Sequence, residues 1–470
     1  MVVLTVFTVT AGIILLGLQF GMWPHLHYDD LKRKPFLVPS RSFRHSIETN
    51  NSLTYATATS RPIWEIIGSE AYWKTPQGRA RLKAETHEMA LEVDSVLEVL
   101  AQGRNKSHIH VRGVFVCLPA DKVEGFTREF KALYLSWLLA VAHEPATLKT
   151  DLVVLTELAG SDLAVSLGCK TQPRHNDWGP SSCVIAPYTP IESRSTPIGE
   201  PEDPLMGYAA YMNSILSMAE YDGYIYDSAL RTDADVFLMP GFYNWTLPQE
   251  VNLIAGTGGY MIENTARHLP YVSATLELRN DFDKHNFGST WFGEFRLVRA
   301  AARLSVSVAR WLLTQEFSEY EKCCASTLSW PHWHWPVTSL YSGHVALNHI
   351  GNVVKSGEGF GNLDEFSHSD ERASTDRIKH VHCWQTEGIF AKLAHKRGMY
   401  DNMDLTQYAN MTTVKEFSLV LAVSSIRLTN TDWARLSSSP SALVDPSSWF
   451  RPVPTLQDGS AGTFEPLVRT

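Results

Sequence analysis

The sequence has few cysteines and no excess of basic residues, and each shortage excludes a class of site. Its 470 residues include six cysteines, none of them in a CxxC pair, so a structural zinc site is not indicated. Lysine and arginine number 41 against 50 acidic residues, and the resulting formal charge of -9 does not support a nucleic-acid partner. A phosphate-bearing substrate would therefore need a local cation or a few basic side chains.

Charge is also missing from a long stretch at the amino terminus, Val2 to Trp23. This stretch is long enough for a membrane anchor or a cleaved signal, and we predict such a segment over residues 1–24. A buried amino-terminal helix is the alternative. Four N-x-S/T sequons are compatible with the secretory route that an anchor or a signal implies. They lie at Asn50, Asn105, Asn244 and Asn410.

The remaining composition is that of a globular protein. Hydrophobic residues make up 44% and charged residues 19% of the chain, which argues against extensive disorder. The length suggests one large or two ordinary domains. Two of the cysteines, Cys169 and Cys183, flank a polar, proline-rich loop, and we predict a disulfide between them.

After the amino-terminal residues 1–24, the pattern of apolar residues divides the chain into three further segments. Residues 25–107 contain a helical pattern over Gln77 to Leu100 and are predicted to form a stem with packing helices. Residues 431–470 are rich in serine and proline and are predicted to form a carboxyl-terminal tail. Residues 108–430 are then the main domain.

The main domain begins with a strand, a helix and a second strand. Residues 111–120 are a short, β-branched apolar run that predicts a buried strand. Apolar residues then recur every three or four positions from Phe126 to Val141, which indicates an amphipathic helix. The second strand is predicted at Asp151 to Thr156. This order implies a parallel pair joined by a crossover, and therefore an α/β sheet.

Two aspartates interrupt an otherwise apolar segment later in this domain. Asp233 and Asp235 follow an extended run that ends in Arg231, and apolar residues resume directly after them. Side chains at positions i and i+2 of an extended chain lie on one face, so the two carboxylates would point together. A hard divalent cation such as Mn²⁺ or Mg²⁺ is the natural counter-charge. A solvated surface loop is the alternative interpretation.

Asp-Ala-Asp after an apolar strand resembles the DxD motif of the GT-A glycosyltransferases, which use nucleotide-sugar donors. A second resemblance is the loop of small residues that runs from Asn286 into a predicted helix at Glu294. The resemblance implies a GT-A-like (Rossmann-like) α/β/α sandwich with a mixed, mainly parallel central sheet. It also implies a set of residues that bind the donor. They are Arg231, Asp233, Asp235, Asn286, Gly288, Ser289 and Thr290.

The same resemblance suggests a third metal ligand and a catalytic carboxylate. Many GT-A enzymes supply a histidine from the carboxyl-terminal part of the chain, and His382 is preferred here over His380. Glu294 is a candidate base or sugar-orienting group, although a glutamate at a helix amino terminus often serves only to complement the helix dipole. Asp364 and its neighbour Glu365 are rival carboxylates for this role.

The function that the resemblance implies is metal-dependent transfer of a sugar from a nucleoside diphosphate to a hydroxyl of a glycan, glycoprotein or other acceptor. We expect the enzyme at the Golgi or endoplasmic reticulum membrane with a lumenal catalytic domain, or secreted if the amino-terminal segment is cleaved. Two alternatives stay open. One is a catalytically silent lumenal binding protein of the same fold. The other is a metal-dependent hydrolase that uses the acidic pair with His332, His334, His380 and His382.

Overall fold

The computed structural model describes residues 71–443 with several short gaps. The gaps are 104–108, 121–122, 175–178, 199, 207, 261–262, 281–285, 325–332, 357–360, 375, 384, 386–387 and 409. Within the described ranges, no helix has both the length and the apolar character needed to cross a bilayer. The predicted anchor or signal segment, residues 1–24, lies outside these ranges and stays a prediction.

A seven-stranded sheet with the strand order β3-β2-β1-β4-β7-β6-β8 forms the centre of the fold. Its neighbours pair in parallel except at β7, which runs antiparallel to both β4 and β6. The strands are β1 His110–Cys117, β2 Leu148–Thr156, β3 Cys183–Pro187, β4 Ser228–Thr232, β6 Leu253–Thr257, β7 Phe287–Glu294 and β8 Val354–Lys355. The predicted mixed, mainly parallel sheet is confirmed.

A second, three-stranded sheet has the strand order β5-β10-β9. Its strands are β5 Val236–Leu238, β9 Glu365–Phe366 and β10 His380–His382. Strand β10 pairs antiparallel with β5 and parallel with β9. Because β5 begins four residues after β4 ends, the chain passes from the large sheet to the small one through the Asp-Ala-Asp segment.

Helices cover both faces of the large sheet. They are α1 Pro76–Ala101, α2 Val123–His143, α3 Asp162–Ser166, α4 Ala209–Glu220, α5 Glu263–Thr275, α6 Phe295–Trp311, α7 Glu319–Cys324, α8 Thr338–Ile350, α9 Lys392–Lys396, α10 Val414–Arg427 and α11 Asn430–Ser438. Neighbouring residues of strand β1 enter two separate cores, as Phe115 and Val116 do. Helices α1, α4, α6 and α8 pack on one core and α2, α10 and α11 on the other. The α/β/α sandwich predicted from the sequence is therefore confirmed.

The helical pattern at the start of the described region is confirmed, and the packed region extends further than predicted at its other end. Helix α1 spans the predicted Gln77 to Leu100 and begins at Pro76, directly after Thr75, whose side chain caps it. Helix α11 lies beyond the predicted domain boundary at residue 430. Its Trp433 is buried against Tyr134 of α2, with ring centroids 5.6 Å apart. Trp433 and Leu436 of this helix therefore contribute to the core.

The segment before α6 also differs from the prediction. The sequence predicts a loop of small residues there, whereas the structure has the buried strand β7. Its β-branched and aromatic residues, Thr290, Trp291 and Phe292, suit a strand between two cores and outweigh the glycines. The predicted disulfide between Cys169 and Cys183 is present, and it closes the loop that leads into β3.

Candidate active site

The candidate site lies where the parallel strands of the large sheet end. Strands β1 and β4 run in the same direction, so their carboxyl ends meet at one edge, and the antiparallel β7 begins there. A cavity of about 260 Å³ opens at this edge. Its lining includes Cys117 at the end of β1, Arg231 of β4, Asp233 just after β4, and Gly288 and Ser289 of β7. Ligands bind outside the carboxyl ends of strands in open α/β sheets.

Asp233 is held in place by groups from two strands. Its Oδ2 accepts a hydrogen bond of 2.7 Å from the Ser289 hydroxyl, and its Oδ1 lies 3.4 Å from Nη2 of Arg231. The guanidinium of Arg231 also donates to the Ser289 carbonyl and to Ser214 Oγ, and it lies 5.5 Å from the Trp291 ring centroid. Asp233 keeps 30% of its side chain exposed. Its carboxylate is therefore oriented by the protein and still open to the cavity.

Asp235 is buried more deeply and has two cationic neighbours. Its Oδ2 lies 2.5 Å from Lys392 Nζ and 3.4 Å from His382 Nε2. Burial alone would raise the pKa of Asp235, but His382 and Lys392 hold it well below its usual range. For the imidazole of His382, burial alone would lower the pKa. The carboxylates of Asp235, Asp364 and Asp233 outweigh this effect and raise the pKa to about 9. The negative carboxylates of the site therefore lie next to the positive side chains of Lys392 and His382.

Three of these side chains have the geometry of a metal centre. Ligand atoms of Asp233, Asp235 and His382 lie within 4.8 Å of one another. Two carboxylates and one imidazole suit Mn²⁺ and also Mg²⁺, which prefers oxygen ligands and takes substrate phosphates as further ligands. The donor set therefore fits the predicted ion, and all three residues are those that the sequence put forward as ligands.

Asp364 lies beside Asp233, Asp235 and His382. Its side chain is 4% exposed, and its Oδ1 accepts a 2.5 Å hydrogen bond from the Thr290 hydroxyl. The same oxygen lies 3.2 Å from His380 Nδ1 and 3.7 Å from His382 Nδ1. Burial would raise the pKa of Asp364, but His380, His382 and Thr290 lower it. The structure therefore brings Asp364 to the site.

Glu294 is not brought to the site. It pairs with Ser228 at the start of β4, whereas Asp233 lies past the other end of that strand. Its side chain caps α6 by accepting a 2.9 Å hydrogen bond from the Leu297 amide. Glu294 lies away from the acidic pair because strand β7 runs from the edge that carries Asp233 to the opposite edge of the sheet before the helix begins. The structure places Glu294 at the amino terminus of α6, as the alternative interpretation expects.

The other predicted donor-binding residues divide by position. Gly288 and Ser289 line the cavity, whereas Thr290 is fully buried behind it. Asn286 precedes β7 with a φ of 58°, and its carbonyl accepts a hydrogen bond from the Gly258 amide. Asn286 therefore shapes the turn before the strand.

The histidines required by the hydrolase alternative do not come together in the part of the chain that the structure describes. His380 is fully buried and lies 2.8 Å from the Thr232 hydroxyl, away from the acidic pair. His334 is the residue before a short helical turn and is not among the metal-binding group. His332 lies outside the described residues. Of the three histidines that the structure describes, only His382 faces the acidic pair.

Several residues of the site carry no signal that the sequence alone would reveal. Lys392 comes ten residues after His382, on the short helix α9, in a segment that reads as an ordinary amphipathic helix. Ser214 of α4 and Cys117 of β1 are distant in sequence from the acidic pair. Burial raises the pKa of the Cys117 thiol to about 12, so this cysteine is an inert wall of the cavity.

Comparison with protein families assigns most of the chain. Residues 106–443 match the model of a family described as "Domain of unknown function (DUF7164)". This match covers well over half of the sequence, and the chain belongs to that family. Among curated proteins, none matches the sequence.

Comparison with solved structures finds distant similarities to glycosyltransferases. The apo structure of the bifunctional glycosyltransferase WbbM matches 72% of this chain at 11% identity and a TM-score of 0.35. The match covers 54% of WbbM, about half of its length. The galactosyltransferase LgtC, with donor and acceptor sugar analogues, matches 57% of this chain and 86% of its own at 10% identity and a TM-score of 0.30. The apo structure of mouse xyloside xylosyltransferase 1 matches 50% of this chain and 82% of its own length, at 11% identity and a TM-score of 0.28.

Proposed function

We propose that the protein is a metal-dependent glycosyltransferase that moves a sugar from a nucleoside diphosphate to an acceptor hydroxyl. The observation that carries the proposal is the convergence of Asp233, Asp235 and His382 within 4.8 Å beside a cavity at the carboxyl ends of the strands. We infer that part of the nucleotide sugar binds in this cavity of about 260 Å³. The acceptor is a hydroxyl group of a glycan, a glycoprotein or another molecule.

The three ligands would hold Mn²⁺ or Mg²⁺. When bound there, the ion supplies Lewis-acid stabilisation to the negative charge that grows on the departing diphosphate. Lys392 and Arg231 add positive charge on either side of the carboxylates. A chain with a net charge of -9 needs such local cations to bind a diphosphate.

The protein's other groups orient and shield the reacting parts. Gly288 and Ser289 bring backbone close to the cavity, and the Ser289 hydroxyl fixes the Asp233 carboxylate. Arg231 ties β4, β7 and α4 together through Asp233, Ser289 and Ser214. Fixed geometry of this kind lowers the entropic cost of reaching the transition state.

We also propose that the protein enters the secretory pathway, as a Golgi or endoplasmic reticulum membrane protein or a secreted one. The support is the uncharged stretch from Val2 to Trp23 together with the four sequons. Cell fractionation followed by glycosidase treatment checks this proposal. A glycan-dependent shift in mobility is expected in the membrane or secreted fraction, and an unglycosylated cytosolic protein would contradict it.

The catalytic proposal is tested by calorimetry of nucleoside diphosphates with and without Mn²⁺. We expect one nucleotide to bind the wild-type protein only when the metal is present. Asp235→Asn keeps the shape of the side chain but removes a ligand charge, so Mn²⁺ affinity should fall by more than about 100-fold, beyond the usual effect of an outer-shell partner. The matched control is Asp370→Asn, which removes the same charge from a side chain that is 82% exposed and paired with Lys415.

The binding results separate the alternatives. Nucleotide binding without metal, or equal binding by Asp235→Asn, would refute the assignment of the acidic pair. If the nucleotide binds as expected, incubation with the matching nucleotide sugars and a panel of hydroxyl acceptors should release the nucleoside diphosphate. Binding without any release or transfer would favour the silent binding protein.

A further inference from the structure

The two ring nitrogens of His382 face two different carboxylates. Nε2 lies 3.4 Å from Asp235 Oδ2, on the side of the metal-binding group, and Nδ1 lies 3.7 Å from Asp364 Oδ1. A histidine that binds a metal through one nitrogen commonly donates the N–H of the other to a carboxylate. The partner fixes which nitrogen carries the proton, and it also fixes the orientation of the ring.

The position of Asp364 is determined by several independent features. Its backbone has a φ of 59°, a left-handed conformation that aspartate tolerates better than most residues. Its Oδ1 accepts the Thr290 hydroxyl at 2.5 Å. Its Oδ2 lies against two glycines, so that a Cβ atom would come within 1.8 Å of it at Gly256 and within 2.5 Å at Gly288. The surrounding structure therefore leaves this carboxylate one place to lie.

A second histidine anchors Asp364 through its backbone. The Asp364 amide donates a 3.3 Å hydrogen bond to His380 Nδ1, and His380 Nε2 lies 2.8 Å from the hydroxyl of Thr232 at the end of β4. His380 is fully buried. The chain Thr232–His380–Asp364 therefore links the end of β4 to the imidazole of His382.

We propose that Asp364 is a positioning residue for His382, holding the Nδ1–H tautomer so that Nε2 is directed at a divalent cation with Asp233 and Asp235. This inference rests on the metal-dependent function proposed above. The separation of 3.7 Å exceeds a normal hydrogen bond, so the proposal requires the His382 ring to turn slightly towards Asp364 when the cation binds. In this proposal Asp364 acts through His382 and is not a ligand of the cation.

The first test is Mn²⁺ affinity by calorimetry, which does not depend on turnover. Asp364→Asn should lower the affinity by about 10- to 100-fold, as expected for an outer-shell partner of a metal ligand. Gly256→Ala should lower it as well, because the added Cβ displaces the Asp364 carboxylate without changing any charge. The control Asp370→Asn should bind Mn²⁺ as the wild type does.

A double variant distinguishes positioning from direct attraction of the ion. If Asp364 acts through His382, adding Asp364→Asn to His382→Ala should lower the Mn²⁺ affinity by less than about twofold, because nothing remains to be positioned. A further tenfold loss in the double variant, or wild-type affinity in Asp364→Asn, would overturn the proposal. Absence of Mn²⁺ binding in the wild-type protein would instead refute the proposed metal-dependent function, and this inference with it.

Discussion

Two clusters of buried acidic groups lie in or beside the large sheet, and their oxygens are satisfied in different ways. In the first, Asp151 of β2 accepts two hydrogen bonds from Arg174, at 2.7 and 2.8 Å, one from the Ser182 amide and one from the Tyr226 hydroxyl. Both of its oxygens are occupied. In the second, Oδ2 of Asp364 has no donor among the described residues.

The carboxylates of the two clusters differ in how they are matched by neighbouring groups. Asp151 is matched to a bidentate arginine that is itself buried, and this pair anchors the loop between β2 and β3. The carboxylates of Asp233, Asp235 and Asp364 instead converge on one imidazole, His382. Asp233 stays 30% exposed beside the cavity, with ligand atoms of Asp235 and His382 within 4.8 Å, whereas both oxygens of Asp151 are occupied by buried donors. The second cluster can therefore take an ion, and the first cannot.

The largest expected effect breaks the first cluster. Asp151→Asn leaves the buried Arg174 without its charge partner, so the free energy of unfolding should fall by about 3–5 kcal/mol. Chemical denaturation measures this loss. Mn²⁺ affinity of the folded variant should stay at the wild-type value, and a loss of metal binding in fully folded protein would show that the two clusters are not independent.

The next largest effect is the pH dependence of Mn²⁺ binding by the second cluster. The pKa of His382, about 9, is above its ordinary value, so the protonated ring stabilises the metal-free fold below about pH 6.5. This contribution is lost as the pH rises through 9. A metal ligand must be a neutral imidazole, so Mn²⁺ affinity should rise by about tenfold per pH unit between about pH 7 and 9. Calorimetry across this range measures the slope.

A variant of the same histidine serves as the control for that slope. His382→Gln removes the titrating group, and its weaker Mn²⁺ affinity should depend far less on pH between about 7 and 9. An equally steep slope in His382→Gln would mean that another group releases the proton.

The smallest expected effect concerns a carboxylate outside both clusters. Glu294→Ala removes the amino-terminal cap of α6 and should lower the free energy of unfolding by about 1 kcal/mol. Nucleotide and metal affinity should not change, because Glu294 lies at the far end of β4 from Asp233. Thermal denaturation and calorimetry together check this expectation. A large loss of affinity without a loss of stability would return Glu294 to the site.

Features that depend on neighbouring residues could be predicted from the sequence. Apolar spacing gave the helix after β1 and the helix α1, and the i, i+2 spacing placed the carboxylates of Asp233 and Asp235 together. The loop between Cys169 and Cys183 gave the disulfide. The carboxyl-terminal position of His382 in the chain predicts it as a ligand, and it does face the acidic pair.

Features that depend on distant pairing could not be predicted. Whether residues 287–294 form a loop or a strand is decided by the two strands beside them, and the glycines alone favoured a loop. The same error moved Glu294 to the wrong end of the sheet. Lys392 reaches Asp235 across 157 positions of the sequence, and no local pattern distinguishes it from a solvated lysine.

The passage of the chain between the two sheets has a consequence for local unfolding. Asp233 follows the last residue of β4, Asp235 precedes β5, and His382 comes from β10 of the small sheet. A cation held by all three would act as a non-covalent cross-link between the sheets, so the small sheet could not separate without releasing it. At a concentration of 100 times its dissociation constant, such a ligand adds about 2.7 kcal/mol to the free energy of that opening. Amide hydrogens of β10 would then exchange with solvent about 100-fold more slowly.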